Sequence, residues 1–294
     1  MDKIFRKHNG KVSKDKSQTI TFAIYFVLFL ITSFLFLYPF FWIFQNSFKS
    51  VEEFFELPNA LPKKWDFAYY AEIFKSFKVG SATFLKMTWN SIWLAFGGQA
   101  LNILASICVA YPLARYKFPL HKFLFGIIIF RITIPIIGAS AAAYKFLRLL
   151  GMVNNPKLYI LTYFTGFDIN ALIMYGYFKA IDKGYSEAAY IDGANCFQIL
   201  FRVIIPQAIP CILALYINCV MGQWNVYSTP QIYLPSYPNL ALGIYVFESD
   251  MMFIENGSAK FFGAIILSSL VPLILFAISQ KTMLANMSVG GLKG

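Results

Sequence analysis

The stretch Glu187-Ala-Ala-Tyr-Ile-Asp-Gly-Ala-Asn-Cys-Phe-Gln-Ile-Leu-Phe-Arg-Val-Ile-Ile-Pro206 is the most informative part of this 294-residue chain. Ala188 and Ala189 favour a helix and carry almost no bulk, so another protein can approach that face closely. Gly193 can adopt a positive φ and so separate two short helices. Pro206 is expected to open the next apolar helix, where its missing N–H is tolerated. The stretch therefore predicts two short helices around a sharp break.

Long uncharged runs decide the class of protein. The chain is 58% hydrophobic and 13% charged, about half the charged fraction of a typical soluble domain. The uncharged runs are long enough to cross a bilayer, and helices satisfy their own backbone in lipid. We therefore expect an all-α integral membrane protein. Six spanning helices are predicted near residues 19–45, 88–114, 122–143, 158–179, 206–228 and 260–280.

The remaining segments lie between or before these runs. Residues 1–16 are expected to form a basic tail, and residues 17–294 a single transmembrane domain. The distribution of Lys and Arg predicts that both termini and the loop at 180–206 lie in the cytoplasm. The net charge of +11 then reflects topology and contact with anionic lipid, not nucleic acid.

Two long segments are then predicted on the outer side, at 46–87 and 229–259. The first contains a possible amphipathic helix from Phe67 to Phe77. Segments of this length can form a docking surface for an external partner, or they can tether and pack on the helix bundle. The sequence leaves both interpretations open.

The chain shows little sign of metal or nucleotide chemistry. It has two histidines, His8 and His121, four cysteines without a CxxC spacing, and no cluster of carboxylates. No GxxxxGK[ST] motif occurs, so a P-loop site for ATP is not expected. We predict no catalytic residues and no metal or cofactor in this chain.

Short motifs are spread along the whole sequence. They are Asn46-Ser47-Phe48-Lys49, Asn90-Ser91, Ala110-Tyr111-x-Leu113-Ala114-Arg115, Trp224-Asn225, Gln280-Lys281 and the terminal Gly290-Gly291-Leu292-Lys293-Gly294. Together with residues 187–206, which resemble an EAA loop, they are similar to the second permease subunit of maltose-type ATP-binding-cassette (ABC) importers. The resemblance covers essentially the full length after the tail. One departure is Lys183-Gly184-Tyr185-Ser186, where the family usually has a proline before the glutamate.

This resemblance implies a fold, an activity and a set of partners. The fold would be that of a type I ABC importer permease with a cytoplasmic EAA coupling helix, in a bacterial cell membrane. The activity would be carbohydrate import, without enzymatic chemistry in this chain. The partners would be a second, different permease, two ATPase subunits that bind ATP and Mg, and an extracytoplasmic solute-binding protein.

The resemblance also implies contacts with the ATPase. The EAA residues Glu187, Ala188, Ala189 and Gly193 would form the contact, with Asp192 and Arg202 as flanking residues. The alternative is an ordinary polar loop between two membrane helices. The terminal Gly291, Lys293 and Gly294 would also reach toward the ATPase dimer, or would form a frayed end.

Arg131 and Asp168 stand out because each is the one charge in an otherwise uncharged run, 123–144 and 158–178 respectively. Each would lie roughly 14–15 Å deep, near the bilayer midplane. Charges at this depth normally pair with one another or face a cavity. We expect an intramembrane ion pair; contact with the substrate or a gate is the alternative. If Arg131 faces the pathway, an acidic sugar such as a uronate becomes a plausible substrate.

The end of the fifth predicted helix carries groups suited to sugar recognition, which uses aromatic faces and amide hydrogen bonds. These substrate-pathway candidates are Asn218, Gln223, Trp224, Asn225 and Tyr227. Aromatic residues at membrane interfaces also form ordinary belts, so packing is the alternative.

A different class of function is a secondary carrier or a multi-pass membrane enzyme that works without an ATPase. Such a protein would show inverted repeats, or a cluster of acidic and histidine residues within the bilayer. Asp168 is the one acidic residue in the predicted midplane, and no repeat is visible. The sequence therefore favours the importer subunit.

Overall fold

The first half of the chain forms helices around one small hairpin. In this computed structural model, residues 16–134 and 138–289 are described. Antiparallel strands β1 (Lys78–Val79) and β2 (Ala82–Thr83) add a minimal hairpin to the predicted all-α fold. The helices are α1 (Lys16–Asn46), α2 (Val51–Glu56), α3 (Ala68–Ser76), α4 (Phe84–Ile92), a π-helical turn (Trp93–Gly97) and α5 (Gly98–Arg115).

The second half consists of short helices and two long ones, α12 and α15. They are α6 (His121–Thr133), α7 (Ser140–Leu149), α8 (Pro156–Tyr159), a 3-10 turn (Ile160–Tyr163), α9 (Ile169–Ala180), α10 (Gly184–Ile191), α11 (Cys196–Ile199), a π-helical turn (Leu200–Ile204), α12 (Ile205–Trp224), α13 (Ser228–Tyr233), α14 (Leu240–Asp250), a 3-10 turn (Met251–Phe253) and α15 (Gly257–Val289).

Within the described residues, four helical stretches are long and apolar enough to cross a membrane. They are Ile20–Asn46, Phe84–Arg115, Cys196–Trp224 and Gly257–Gln280. They confirm four of the six predicted spans as long apolar helices. Pro206 lies in the first turn of α12, as predicted, although the apolar stretch itself begins ten residues earlier, at Cys196. Helical geometry continues from α11 through the π turn into α12, and Pro206 lies just after the widened turn.

The predictions of continuous helices over 122–143 and 158–179 are wrong. Helix α6 ends at Thr133, and Ile134 is extended, as expected for a residue that precedes a proline in the sequence. The later segment is divided into α8, a 3-10 turn and α9. Its break contains Gly166 with φ +67° and Asp168, whose side chain caps α9. Local turn chemistry therefore overrides apolar length in both segments.

Helix α5 lies at the centre of the bundle. It packs against α9 and α12, and their buried side chains include Ile103, Tyr111, Met174, Phe178 and Ile204. Between helices in lipid, such close packing supplies van der Waals contact in place of a hydrophobic driving force. Helix α1, in contrast, exposes nearly all of its apolar length from Ile20 onward.

The segment at 46–87 packs on the bundle. Its predicted amphipathic helix is confirmed as α3, and Ile73 and Phe77 are fully buried. Phe77 stacks on Phe247 of α14 with ring centroids 4.3 Å apart. The Lys49 ammonium donates to the carbonyls of Leu57 at 2.8 Å and Pro58 at 3.2 Å, and burial lowers the pKa of Lys49.

Side chains near the end of α4 fasten the segment at 229–259. Asn90 Nδ2 donates to the Pro238 carbonyl at 2.9 Å, and Ser91 Oγ accepts from the Leu240 N–H at 2.8 Å. Ser258 Oγ donates to the Lys49 carbonyl at 2.9 Å, which joins the two segments. Both segments therefore pack on the bundle, as the tethering interpretation predicts, and a docking role for them stays a prediction.

Candidate functional site

Helices α10 and α11 form a helix–break–helix unit. Gly193 has a φ of +82°, as the sequence predicted, and lies where α10 ends. Its N–H donates to the Tyr190 carbonyl, and the Ala194 N–H donates to the Ala189 carbonyl, both at 3.0 Å. This pair of bonds is a Schellman motif, in which glycine is the preferred residue. The unit therefore ends its first helix with its own backbone.

The second helix of the unit begins with a reciprocal cap. Asn195 Oδ1 accepts from the Gln198 N–H at 2.9 Å, and Gln198 Oε1 accepts from the Asn195 N–H at 2.8 Å. This capping box satisfies two N–H groups that a helix start would leave unpaired. Together the two motifs fix the angle between α10 and α11 without help from another element.

The unit is held against the bundle at two places, just before α10 and along its inner side. Arg115 Nη2, at the end of α5, donates to the carbonyl of Ile181 at 3.0 Å, just before α10. On the inner side, Ala189 and Ala194 pack against the cluster that contains Tyr111 and Phe178. Because α11 continues into α12, a displacement of the unit would be transmitted to the transmembrane helices.

The outer side of the unit is exposed. Glu187 lies in the first turn of α10, where a carboxylate interacts favourably with the helix dipole, and it is exposed. Ala188, Asp192 and Arg202 are also exposed. Large apolar side chains surround these groups, with Tyr190, Ile191 and Phe197 at 73%, 84% and 74% exposure. A contiguous apolar surface of this kind is typical of a protein interface.

A second feature is a polar network inside the bundle. The Asp168 carboxylate accepts from Asn102 Nδ2 at 2.8 Å and Ser106 Oγ at 3.2 Å, both on α5. It also accepts from the backbone N–H groups of Asn170 and Ala171 at 3.0 and 3.1 Å. The carboxylate thus caps the N-terminus of α9 and connects that helix to α5.

Asn170 extends this network to a third helix. Its Nδ2 donates to Asn102 Oδ1 at 3.1 Å, and its Oδ1 accepts from Cys219 Sγ of α12 at 3.5 Å. Asn102, Ser106 and Asn170 are all buried. Buried polar groups that satisfy one another in this way specify one arrangement of α5, α9 and α12.

The predicted ion pair between Arg131 and Asp168 is not formed. Arg131 Nη1 donates to the carbonyl of Phe167, the residue before Asp168, at 3.0 Å. The carboxylate itself is occupied by the donors on α5 and α9. Both residues also lie at helix ends, because α6 and α9 are shorter than predicted. Arg131 is exposed, and among the described residues it forms no ion pair.

Gly166 fixes the break before α9 against α5. A Cβ added to Gly166 would lie 2.6 Å from the Ala105 carbonyl oxygen and 2.9 Å from Cγ2 of Val109. Since its φ of +67° also disfavours other residues, two independent constraints require glycine here.

The structure does not bring the five candidates near the end of α12 together. Trp224 is buried and donates from Nε1 to the Ser268 carbonyl at 3.2 Å. Together with Asn225 it lines a cavity between α12, α14 and α15, and its role in the pathway stays a prediction. Tyr227 stacks on Tyr245 at 4.4 Å. Asn218 and Asn225 are exposed, and Gln223 Nε2 is buried without a hydrogen-bond partner.

Sequence reasoning missed Asn102, Ser106 and Asn170. The available signal was the spacing of Asn102 and Ser106, which are four residues apart in an uncharged run and therefore share a helix face. The predicted contacts of Gly291, Lys293 and Gly294 lie outside the described residues.

Comparison with known families identifies the chain. Residues 102–285 match the family described as "Binding-protein-dependent transport system inner membrane component". The chain belongs to that family. It is therefore a permease subunit of an ABC importer and not an enzyme, and the network and the α10–α11 unit both lie within the matched region.

Relatives match over most of the permease. It is 27% identical to the diacetylchitobiose uptake system permease protein NgcG of Streptomyces coelicolor, with 91% of this chain and 88% of that protein covered. It is also 27% identical to the galactooligosaccharides transport system permease protein GanQ of Bacillus subtilis, with 87% and 90% covered.

Solved structures show the fold. A chain of a bacterial ABC transporter involved in the import of the acidic polysaccharide alginate superposes with a TM-score of 0.74 at 24% identity. The superposition covers 91% of the permease and 98% of that chain. The overall fold of the permease is therefore one already known from an ABC importer.

Proposed function

We propose that this permease imports a carbohydrate and couples to a cytoplasmic ATPase through the α10–α11 unit. The exposed apolar surface around Glu187, on a unit fixed by its own caps, is the observation that supports the coupling role. The relatives named for diacetylchitobiose and galactooligosaccharide uptake support the carbohydrate class.

The proposed complex contains a second, different permease, two ATPase subunits and an extracytoplasmic solute-binding protein. ATP and Mg would bind only to the ATPase subunits. The exposed apolar length of α1 fits lipid or the second permease. Both termini and the α10–α11 unit would lie in the cytoplasm, and the packed segments at 46–87 and 229–259 would face the solute-binding protein.

The proposed mechanism is mechanical. When ATP closes the ATPase dimer, the α10–α11 unit would move as one body, because the Schellman motif and the capping box fix its internal angle. Arg115 of α5 is hydrogen-bonded to the Ile181 carbonyl, shortly before α10, and α11 continues into α12. The motion would therefore reach α5 and α12 together and rock the permease between inward-facing and outward-facing states.

The test of coupling is substrate-stimulated ATP hydrolysis by the reconstituted complex. Glu187→Ala should reduce stimulation at least tenfold, because breaking a desolvated charged contact at an interface costs about 3 kcal/mol or more. Lys157→Ala is the control for the loss of an exposed charge, because Lys157 lies on α8, outside the coupling unit and outside both outer segments. Equal stimulation in wild type and Glu187→Ala would contradict the coupling role.

The substrate class needs a separate comparison of neutral and acidic oligosaccharides. Arg131 is exposed and has one hydrogen bond, to a neutral carbonyl, so its charge can meet an anionic solute. An acidic substrate should stimulate ATPase activity in wild type, and Arg131→Gln should abolish that preference. Solute movement by the purified chain alone would instead show a secondary carrier.

A further inference from the structure

A cavity of about 670 Å³ opens beside α10, between the end of α5, the start of α6 and the end of α9. Five cationic side chains line the cavity: Arg115, Lys117, Lys122, Lys179 and Lys183. The permease mechanism described above does not use the four lysines. The cavity therefore needs its own explanation.

The positive charge of the cavity is not balanced by acidic side chains. Among the described residues that line it, no carboxylate occurs. Arg115 is hydrogen-bonded to a neutral carbonyl and its buried Nε has no hydrogen-bond partner. The Lys179 ammonium lies 5.5 Å from the centre of the Tyr175 ring. Asp182 is next in sequence to Lys183, and its carboxylate accepts from the Gly184 N–H at 2.8 Å. The cavity therefore attracts an anion.

A neutral donor of the cavity also suits a phosphate. The Tyr116 phenol is protonated at neutral pH and can donate to a bound anion. The His121 ring forms part of the wall, where its Nε2 N–H donates to the Leu113 carbonyl at 2.7 Å and is not available to the ligand. Phosphate oxygens accept from several donors at once, as this lining requires.

The surroundings of the cavity are apolar and lie where a spanning helix ends. Helix α5 ends its apolar span at Arg115, and Phe118 and Pro119 form part of the wall. Leu120 and Phe123 flank the His121–Lys122 pair and are 60% and 65% exposed. A ligand with a phosphate head and an apolar tail would satisfy both surfaces, whereas free phosphate would leave the apolar one unused.

We propose that this cavity binds the phosphate headgroup of an anionic phospholipid of the phosphatidylglycerol class. Lys117 and Lys122 approach the phosphate from the α5–α6 turn, and Lys179 and Lys183 approach it from the α9–α10 junction. The lipid thereby connects the two segments on which the α10–α11 unit is mounted. Basic cavities between membrane helices are known to accept anionic headgroups.

The experiment uses the assembled importer in nanodiscs and a photoactivatable phosphatidylglycerol, with photoactivatable phosphatidylcholine as the neutral probe. Peptides that contain residues 113–123 or 175–183 should be labelled by phosphatidylglycerol and not by phosphatidylcholine. Competition with unlabelled phosphatidylglycerol gives the affinity. Each lysine replaced by glutamine should weaken it about fivefold, which corresponds to about 1 kcal/mol per cation.

The decisive variant is Lys117→Gln, Lys122→Gln and Lys179→Gln combined, with an expected loss of about a hundredfold. Lys63, Lys75 and Lys86 are exposed lysines away from the cavity, and their triple glutamine variant is the charge-matched control. If the first triple variant does not assemble, the single variants Lys122→Gln and Lys179→Gln provide the same test at fivefold each.

Three results would overturn the proposal. Equal labelling by the two lipids would show that charge does not select the ligand. An equal loss in the control variant would show that only net charge matters. Displacement of the lipid by glycerol 1-phosphate at comparable concentration would assign the cavity to a soluble phosphate.

Discussion

The break before α9 and the break between α10 and α11 are built from the same kinds of residue but have different surroundings. In each, a glycine with positive φ is followed two residues later by a side chain that caps the next helix: Gly166 with Asp168, and Gly193 with Asn195. A Cβ at Gly166 would collide with α5, whereas a Cβ at Gly193 would meet nothing within 4 Å. The first break is therefore fixed by its neighbour, and the second by its own caps.

The difference matters for function. Asp168 has donors on α5 as well as on α9, so the first break is part of the interior of the bundle. Among the described residues, Asn195 forms hydrogen bonds only with Gln198 and Ile199 of α11, so the second break is capped from within and has one exposed side. A part that transmits force to a partner needs internal rigidity and an accessible surface, and only the second break has both.

Gly166→Ala should have the largest effect. The left-handed backbone would cost about 1–2 kcal/mol, and the collision with the Ala105 carbonyl would add about 1–3 kcal/mol. We expect a clear loss of thermal stability and of assembled importer, measured by tryptophan fluorescence and gel filtration. Stability equal to that of wild type would show that α5 and the break are not in close contact.

Asp168→Asn should destabilise the bundle by about 2 kcal/mol. Both carboxylate oxygens of Asp168 accept hydrogen bonds, so the amide nitrogen of asparagine would replace an acceptor and face a donor. Buried N–H groups would then be left without an acceptor. Asp192→Asn is the matched control on the exposed break and should change the free energy of unfolding by less than about 0.5 kcal/mol. Thermal unfolding of both variants compares the two sites directly, and similar losses would remove the distinction between them.

Gly193→Ala should cost about 1–2 kcal/mol, from backbone strain alone. The loss should be confined to residues 184–199, so the importer should still assemble while the stimulation of ATP hydrolysis falls. Hydrogen exchange across the chain tests this expectation. Faster exchange in α5 or α9 would show that the unit is not self-contained.

Asn195→Ala should have the smallest effect of the four, about 1 kcal/mol, through the loss of the capping box. Hydrogen exchange at the Gln198 amide should accelerate, and Asn195→Ser should restore most of the protection because serine also caps helices. No recovery with serine would mean that the Asn195 amide has another role.

The sequence predicted those features that depend on short stretches of chain. The uncharged runs at 17–48 and 261–280 indicated long apolar helices because hydropathy is additive along a segment. The left-handed conformation of Gly193 was predicted because the break and both of its caps lie within a few residues. These features need no knowledge of neighbours in space.

The features that were missed depend on contacts between distant residues. The donors to Asp168 lie 66 and 62 residues away, at Asn102 and Ser106. The partner of the Trp224 indole N–H, Ser268, lies 44 residues away. Without these partners, a lone charge in an apolar run indicates an ion pair, and an aromatic residue near an amide indicates a sugar site. The ion-pair inference was reasonable from composition and wrong in the fold, whereas the sugar-site inference stays a prediction.

The position of Asp168 also constrains how the protein is made. Asp168 caps α9, which has 12 residues and is too short to span a bilayer by itself, and a charged side chain at membrane depth opposes insertion. Helix α5 is synthesised first, so Asn102 and Ser106 are already in place when Asp168 leaves the ribosome. Biogenesis of this permease therefore depends on the order of synthesis, with α5 acting as the template on which the second half of the chain enters the bilayer.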